Sequence, residues 1–285
     1  MHTAHYAGAG GLKLAADVWD GPREPGILFI PGGGQTRNAW RRTAAGMAAK
    51  GFGVVSLDLR GHGGSEWAGD GNYSIDAFVD DLRAVAVTLP SPPVLVGASI
   101  GGIAALIAVG ESTEPTARAV VLADVAPTMS TAGLDRIRSF MTAGTHGFDT
   151  VEQAEEAVAR YRPQRRRSAS GSLHSQLRLG PDNRYYWHWD PAFHAASKQR
   201  AAAGMLARMA DAARAVRMPA LLITGARSDV VSRDAALDLQ RLIPGARSVE
   251  IANAGHMVVG DENQAFDAAV GRFVEGLAGC AASGA

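Results

Sequence analysis

The sequence is poor in cysteine and has no excess of charge of either sign. Its 285 residues include one cysteine, Cys280, which cannot form a disulfide within the chain. Lysine and arginine together number 28, as do aspartate and glutamate, so the formal net charge is zero. A chain without excess positive charge has no general attraction to nucleic acid or to an anionic membrane surface. These absences favour a protein of a reducing compartment and give no indication of a nucleic-acid partner.

Long hydrophobic runs are also missing. The first residues, MHTAHYAGAGG, contain no basic start followed by an apolar core, so we predict no secretory signal peptide. The longest apolar run, at about residues 99–109, is too short and too rich in glycine to span a bilayer. The sequence therefore predicts a cytoplasmic protein with no membrane partner, and it leaves the oligomeric state open.

Short apolar segments alternate with helical ones along most of the chain. Residues 12–19 alternate between apolar and other side chains, as in an outer strand with one buried face. Six further segments are almost continuously apolar, which is typical of parallel strands covered on both faces. They are residues 27–30, 54–57, 93–96, 119–123, 220–224 and 248–251. Because segments with helical spacing lie between them, the pattern predicts a doubly wound, mostly parallel α/β sheet.

One region interrupts this alternation. Residues 128–196 contain no evident buried strand, and Thr150 with Gln153 forms a capping box for a helix with one apolar face. We therefore predict a core domain of residues 1–127 and 197–285, with a helical lid inserted at 128–196. The insertion carries a cluster of four arginines (Arg162, Arg165, Arg166 and Arg167). We expect this cluster on a solvated lid surface, and contact with an anionic substrate is the alternative.

The stretch VLVGASIGG at 94–102 places a serine where a strand runs directly into a helix. Gly97 and Gly101, two positions away on either side, are small enough for such a sharp corner. The corner would hold the hydroxyl of Ser99 clear of the sheet at a helix N-terminus, where N–H groups favour negative charge. A plain turn that happens to contain serine is the alternative, so residues elsewhere in the chain must decide.

Later segments supply partners for this serine. A serine hydroxyl becomes a nucleophile when a base takes its proton, and a third group must orient that base. His256 follows the last apolar segment and Asp229 follows the one before it, which is the expected order along the chain. Asp124, at the end of an earlier strand, is the alternative acid. We predict Asp229, because its longer loop can reach the histidine, and we expect Asp124 at the hinge of the lid.

The oxyanion of a reacting carbonyl also needs backbone donors. The corner at Ser99 supplies the N–H of Ile100. The loop PGGGQ at 31–35 follows the neighbouring strand and supplies the second donor. We predict that this donor is Gly33, with Gly34 as the next choice, and a plain glycine turn is the alternative.

Together these segments resemble the α/β-hydrolase superfamily, close to its lidded esterases, cofactor-free haloperoxidases and carbon–carbon hydrolases. The resemblance lies in PGGGQTRNAW at 31–40, LDLRGHGGS at 57–65, VGASIGG at 96–102, LADVAP at 122–127, GARSDVV at 225–231 and NAGHM at 253–257. It implies the roles already assigned: nucleophile Ser99, base His256, acid Asp229, and oxyanion donors Gly33 and Ile100. It also implies that no metal or organic cofactor is needed. Pro31 stands where the family usually has histidine, which leaves the hydrogen bonding of this loop open.

The expected activity is hydrolysis of a small carboxylic ester or lactone through an acyl-enzyme. The alternatives are hydrolysis of a carbon–carbon bond in a vinylogous diketone, haloperoxidase or perhydrolase chemistry, and a ligand receptor on the same scaffold. Ser99 argues against epoxide opening and halide displacement, because relatives with those activities carry aspartate at the corner.

Two further features are interpreted with their alternatives. We expect His62, in the turn RGHGG, to be structural rather than catalytic. The aromatic string YYWHW at 185–189 contains Tyr186, Trp187 and Trp189. We expect some of these rings to line the substrate pocket, and anchoring of the lid is the alternative.

Overall fold

The computed structural model describes residues 1–161, 173–195, 204–259 and 264–282. Its strands are β1 (His2–Ala7), β2 (Lys13–Trp19), β3 (Arg23–Ile30), β4 (Phe52–Leu57), β5 (Val94–Ala98), β6 (Ala119–Ala123), β7 (Leu177–Leu179), β8 (Tyr185–Trp187), β9 (Ala220–Gly225) and β10 (Arg247–Ile251). Eight of them form one sheet in the order β1-β2-β4-β3-β5-β6-β9-β10. The other two, β7 and β8, pair as a separate hairpin.

The sheet is parallel from β4 to β10, and β1 and β2 are antiparallel to their neighbours. The six apolar segments form the six parallel strands, so the predicted doubly wound, mostly parallel sheet is confirmed. Successive residues of these strands face opposite sides, where Leu28 and Ile30 join one apolar cluster and Ile27 and Phe29 join the other. Both faces of the inner strands are therefore covered, which explains why these segments lack polar alternation, whereas β10 at the sheet edge exposes Ser248 and Glu250.

The helices are α1 (Arg41–Ala49), α2 (Ile75–Ala86), α3 (Ile100–Gly110), α4 (Thr131–Thr142), α5 (Val151–Tyr161), α6 (Pro191–Ala195), α7 (Met205–Ala215), α8 (Arg233–Leu242) and α9 (Gln264–Ala282). Helices α2, α3 and α7 bury side chains on one face of the sheet, and α1 and α9 do so on the other. Across the described ranges, none of these helices combines the length and the apolar character that a membrane span requires.

The chain between β6 and α7 holds α4, α5, the hairpin and α6. Helix α5 begins at the predicted capping residues, where the hydroxyl of Thr150 accepts the N–H of Gln153 at 3.4 Å. The hairpin was not predicted, because strands of three residues are too short to show a periodic pattern. Phe148 extends it by pairing with Tyr185. The arginine cluster at 162–167 lies outside the described residues.

Candidate active site

Ser99 stands at the corner between β5 and α3. Its φ of 48° and ψ of −123° lie in a region that residues with a side chain rarely adopt. The N–H of Ser99 donates to the carbonyl oxygen of Ala123 at 3.2 Å, so the neighbouring strand β6 holds the corner in place. The last strand residue, Ala98, and the first helical residue, Ile100, flank the serine directly.

Glycines surround this corner because backbone atoms of several segments approach closely. A Cβ on Gly97 would lie 2.6 Å from the carbonyl oxygen of Gly101. A Cβ on Gly32, in the facing loop, would lie 3.2 Å from Cβ of Ser99. Contacts at these distances leave no room for a side chain at Gly97 and little at Gly32. The glycine loop at 31–35 is thus packed against the serine.

His256 follows β10 and pairs with Asp124, which follows β6. Nδ1 of the ring lies 2.7 Å from Oδ2 of the carboxylate. Because a carboxylate can only accept, Nδ1 carries the proton, and Nε2 of the neutral ring is the basic nitrogen. The side chain of Asp124 is 0% exposed and that of His256 is 7% exposed. This is the geometry in which a buried acid fixes the tautomer of a histidine base.

Two further donors satisfy the buried carboxylate of Asp124. The N–H of Gly225 lies 3.2 Å from Oδ1, and the hydroxyl of Ser228 lies 2.6 Å from Oδ2. The same hydroxyl accepts the N–H groups two and three residues later, at 3.2 and 3.1 Å, so its proton is directed to Asp124. Sequence reasoning missed Ser228, since a serine in a loop carries no signal of such a contact.

The predicted pair of Asp229 with His256 is not formed. Asp229 makes an ion pair with Arg136 of α4, and both side chains are partly exposed. Asp124 has a φ of 51°, a left-handed conformation that turns the chain at the strand end. Its N–H also donates to the carbonyl oxygen of Ile223 at 2.7 Å. The acid beside the histidine is therefore corrected from Asp229 to the alternative, Asp124.

Hydrogen bonds within the loop at 31–35 distinguish its three glycines. The N–H of Gly32 donates to Oε1 of Gln35 at 2.7 Å, and that of Gly34 donates to Nε2 of His62 at 3.1 Å. Among the described residues, no hydrogen-bond partner is found for the N–H of Gly33. Ile100 is the first residue of α3, so its N–H has no partner within the helix. Gly33 and Ile100 are thus the available donors, whereas Gly34, the second choice, is occupied.

A cavity of about 410 Å³ lies at the carboxyl edge of the parallel strands. Ser99, His256, Gly33 and Ile100 all line it. Most of its wall is apolar and comes from the insertion and the neighbouring core helices, including Ile103, Leu134, Ile137, Met141, Phe193 and Met205. The serine and the histidine therefore face one largely apolar space.

The rings of Trp187, Trp189 and Tyr186 are not part of the described cavity lining. The two tryptophans are buried and stack with 5.1 Å between ring centroids. Trp187 also donates its Nε1–H to a backbone carbonyl of the insertion at 2.6 Å. The expectation that these rings bind substrate is corrected in favour of anchoring. The aromatic rings that do line the cavity are those of Tyr161 and Phe193.

Asp58 connects the turn RGHGG to Arg37, which follows the glycine loop at 31–35. This fully buried carboxylate accepts the N–H of Arg37 at 2.6 Å and that of Gly64 at 2.8 Å, and it forms an ion pair with the guanidinium of Arg37. Burial raises the pKa of Asp58, and the hydrogen bonds from these donors act against that rise. His62 lies within the turn and is itself fully buried.

The sheet, the corner serine and the histidine–carboxylate pair at its carboxyl edge are features of an α/β hydrolase. The chain belongs to the alpha/beta hydrolase fold family, whose model matches residues 25–263.

Three known proteins illustrate the similarity. The chain is 25% identical over 261 residues to a 3-hydroxybutyrate-oligomer hydrolase of Cupriavidus necator, covering 87% of this chain and 88% of that protein. It is 28% identical over 262 residues to an esterase of Mycobacterium tuberculosis, covering 89% and 83%. The crystal structure of E-2-(acetamidomethylene)succinate hydrolase matches with a TM-score of 0.82 and 23% identity, covering 96% of this chain and 100% of that one. This structural likeness shows the fold alone.

Proposed function

We propose that the protein is a serine hydrolase that cleaves a carboxylic ester or lactone through an acyl-enzyme. In this proposal Ser99 is the nucleophile, His256 is the base and Asp124 is the acid that orients the base. One observation carries the proposal. A strained corner serine shares a cavity with a histidine whose Nδ1 is held by a buried carboxylate.

In the first half-reaction, Oγ of Ser99 attacks the carbonyl carbon of the ester while its proton passes to Nε2 of His256. Asp124 remains ionised and stabilises the imidazolium that forms. The carbonyl oxygen becomes an oxyanion and accepts hydrogen bonds from the N–H groups of Gly33 and Ile100. Collapse of this intermediate breaks the bond to the leaving oxygen, and His256 gives its proton to the departing alcohol.

In the second half-reaction, a water molecule attacks the acyl carbon and loses a proton to His256. The same two N–H groups stabilise the second oxyanion. Its collapse expels Oγ of Ser99, which regains its proton from the imidazolium, and the carboxylic acid leaves. These steps need no metal or organic cofactor. A lactone follows the same course, except that the alcohol remains joined to the released acid.

The cavity supports an ester with an apolar acyl group. Its wall is mostly aliphatic and methionine side chains, which gain free energy by contact with an alkyl chain. The relatives support the same class, since one is named as an esterase and another as a hydrolase of 3-hydroxybutyrate oligomers.

We also propose that the insertion at 128–196 acts as a lid over the active site. Side chains from α4, α5 and α6 line the cavity, among them Leu134, Tyr161 and Phe193. The core supplies the reacting groups, and the insertion supplies much of the surface that a substrate would contact. Exclusion of water by such a cover strengthens the electrostatic interactions beneath it.

The proposal is tested by labelling and turnover together. We expect a fluorophosphonate to add once per molecule, at Ser99, and Ser99→Ala to abolish the adduct. We expect the purified protein to turn over p-nitrophenyl esters of graded acyl length many times, with Ser99→Ala as the blank. The panel also contains lactones and dienone diketones.

Three outcomes would count against the proposal. Labelling at another residue, or none on folded protein, would remove Ser99 as nucleophile. Adduct formation without multiple turnover of any ester or lactone would favour a ligand receptor. Turnover confined to the diketones would move the activity to carbon–carbon bonds.

A further inference from the structure

His62 hydrogen-bonds to the loop at 31–35, which contains the proposed oxyanion donor Gly33 and is called the oxyanion loop below. Its Nδ1 lies 2.9 Å from the carbonyl oxygen of Arg60, so this nitrogen carries the ring proton and donates it. Nε2 of the neutral ring is then an acceptor, and the N–H of Gly34 donates to it at 3.1 Å. Both ring nitrogens are used, and the ring must be neutral to serve both contacts.

His188, on the insertion, contacts the same glycine, Gly34, through its carbonyl oxygen rather than its N–H. Its Nδ1 accepts the N–H of Gly63 at 2.9 Å, so the ring proton is on Nε2. Nε2–H points to the carbonyl oxygen of Gly34 at 3.4 Å. Burial, and after it the nearby ring of His62, lowers the pKa of His188 to about 3. The ring is therefore neutral near pH 7, as its acceptor role at Nδ1 requires.

These contacts fix successive peptide groups of the loop. The peptide that contains the N–H of Gly33 is held through its carbonyl, since the N–H of Gln35 donates to the oxygen of Gly32 at 3.1 Å. The next peptide is held by His62 through the N–H of Gly34, and the one after it by His188 through the carbonyl of Gly34. The N–H of Gly33 is consequently flanked by peptides that cannot rotate freely.

The start of the loop offers little hydrogen bonding of its own. Pro31 has no N–H and no polar side chain, so the first position of the loop adds no donor or acceptor beyond its carbonyl. Imidazoles from two distant segments, His62 and His188, bind the peptide groups at Gly34.

The insertion is anchored beside this contact. The N–H of Asp190 donates to the carbonyl oxygen of Gly61 at 2.8 Å, and its carboxylate accepts the hydroxyl of Tyr73 at 2.5 Å. These two bonds set the position of the chain two residues after His188. The insertion thus binds the RGHGG turn through Asp190, two residues from the histidine that contacts the loop at 31–35.

We propose that His62 and His188 are positioning residues that clamp Gly34, aim the N–H of Gly33 at the oxyanion, and make docking of the insertion a condition for a complete oxyanion hole. The inference rests on the proposed serine hydrolase function. Neither histidine needs to touch the substrate. Their effect should therefore appear in the rate of the chemical step and much less in substrate binding.

The test uses the shapes of asparagine and glutamine. A glutamine amide can place its oxygen where Nε2 of histidine stands, whereas an asparagine amide reaches only the position of Nδ1. His62→Gln therefore keeps an acceptor for Gly34, and His62→Asn removes it. His188→Asn keeps the acceptor for Gly63 and loses only the contact with Gly34. His146→Asn, at an exposed position of the insertion, is the matched control.

We expect His62→Asn and His188→Asn to lower kcat on one good ester, with the first approaching the ~10²–10³-fold loss that removal of an oxyanion donor causes. KM should change by less than about threefold, because binding of the ground state does not use the oxyanion hole. His62→Gln should restore most of kcat, and His146→Asn should match the wild type. Hydrogen exchange of the peptide spanning 31–36 should be faster in His62→Asn than in His62→Gln.

The inference is overturned if His62→Asn keeps the kcat of the His146 control, or if asparagine and glutamine at 62 are equally impaired. If His62→Asn fails to fold, the kcat of His188→Asn tests the clamp in its place. An unchanged kcat in His188→Asn overturns the coupling of the insertion to the oxyanion hole. A wild-type protein that hydrolyses no ester and no lactone defeats the proposed function itself. An active wild type with insensitive variants defeats the clamp alone.

Discussion

Asp124 is placed beside His256 by its backbone conformation. The left-handed φ of 51° at the end of β6 turns the side chain into a pocket that already contains two donors from the β9 loop, Gly225 and Ser228. Asp229 lies in that same loop but is paired with Arg136 at a partly exposed position. The loop after β9, which was expected to supply the acid, instead donates hydrogen bonds to Asp124 from the neighbouring strand β6.

We expect Asp124→Asn to lose on the order of 10⁴ in kcat, the loss seen for the equivalent change in the serine protease that defines the triad, because the base then adopts the wrong tautomer. Asp229→Asn should stay within about threefold of wild type, since surface ion pairs contribute little. Both values come from steady-state kinetics on one ester, with circular dichroism confirming the fold. A larger loss for Asp229→Asn than for Asp124→Asn would return the acid to the longer loop.

Among the site residues, those marked by a pattern in their own stretch of sequence could be predicted. Ser99 could be found because a strand, two glycines and a helix all meet within nine residues. His256 could be found because it follows the last strand. The acid could not, because Asp124 and Asp229 have the same chemistry, and the difference between them depends on a backbone angle and on Arg136, nearly a hundred residues from the second aspartate.

The hairpin of β7 and β8 forms the centre of an aromatic cluster in the insertion. Trp187 stacks on Trp189 and also contacts Phe140 and Phe148, with ring centroids 5.4 and 5.2 Å away. The side chain of Tyr186 points away from this cluster and bonds to Asp182 at the turn of the hairpin. Adjacent residues of the string YYWHW therefore have different roles, which follow from strand alternation.

We expect Trp187→Ala to destabilise the protein by about 3–5 kcal/mol, as is typical when a buried aromatic side chain is removed. Tyr186→Phe, the matched control, should change stability by less than about 0.5 kcal/mol because it affects one exposed hydrogen bond. Leu134→Ala, on the cavity wall, should instead change the preferred acyl chain length. Thermal unfolding and the ester panel measure the two effects. If Trp187→Ala shifts chain-length preference and leaves the melting temperature unchanged, the anchoring role is wrong.

Strands of the sheet could be predicted from the sequence where they are buried, and less well where they are exposed. The inner parallel strands are largely apolar because helices cover both of their faces, whereas β10, at the other edge, exposes most of its residues. The first strand, β1, was not predicted. It lies at the edge of the sheet and alternates between exposed and half-buried residues, with few apolar side chains in HTAHYA. It pairs with β2 as a local hairpin across residues 8–12, but its short segment carries too little apolar alternation to indicate a strand.

Acid stability of the molecule should depend measurably on His188. Its folded pKa is lowered to about 3 by burial, whereas an unfolded histidine titrates near 6.5. The unfolded chain therefore binds more protons between these values, and stability falls as the pH is lowered through this window. We expect the melting temperature of the wild type to drop more between pH 7 and pH 4.5 than that of His188→Asn. Parallel curves for the two proteins would contradict this expectation.

The contact between His188 and Gly34 has a consequence for protein engineering. The inserted segment over a hydrolase active site can be exchanged between proteins to change substrate specificity while the core domain stays the same. Here a graft replacing residues 128–196 would also delete an imidazole that reaches into the loop beside Gly33. A chimera would need a histidine restored at that position before its substrate selectivity is measured. Without it, a low turnover rate could come from a misplaced oxyanion loop rather than from poor binding of the substrate by the new segment.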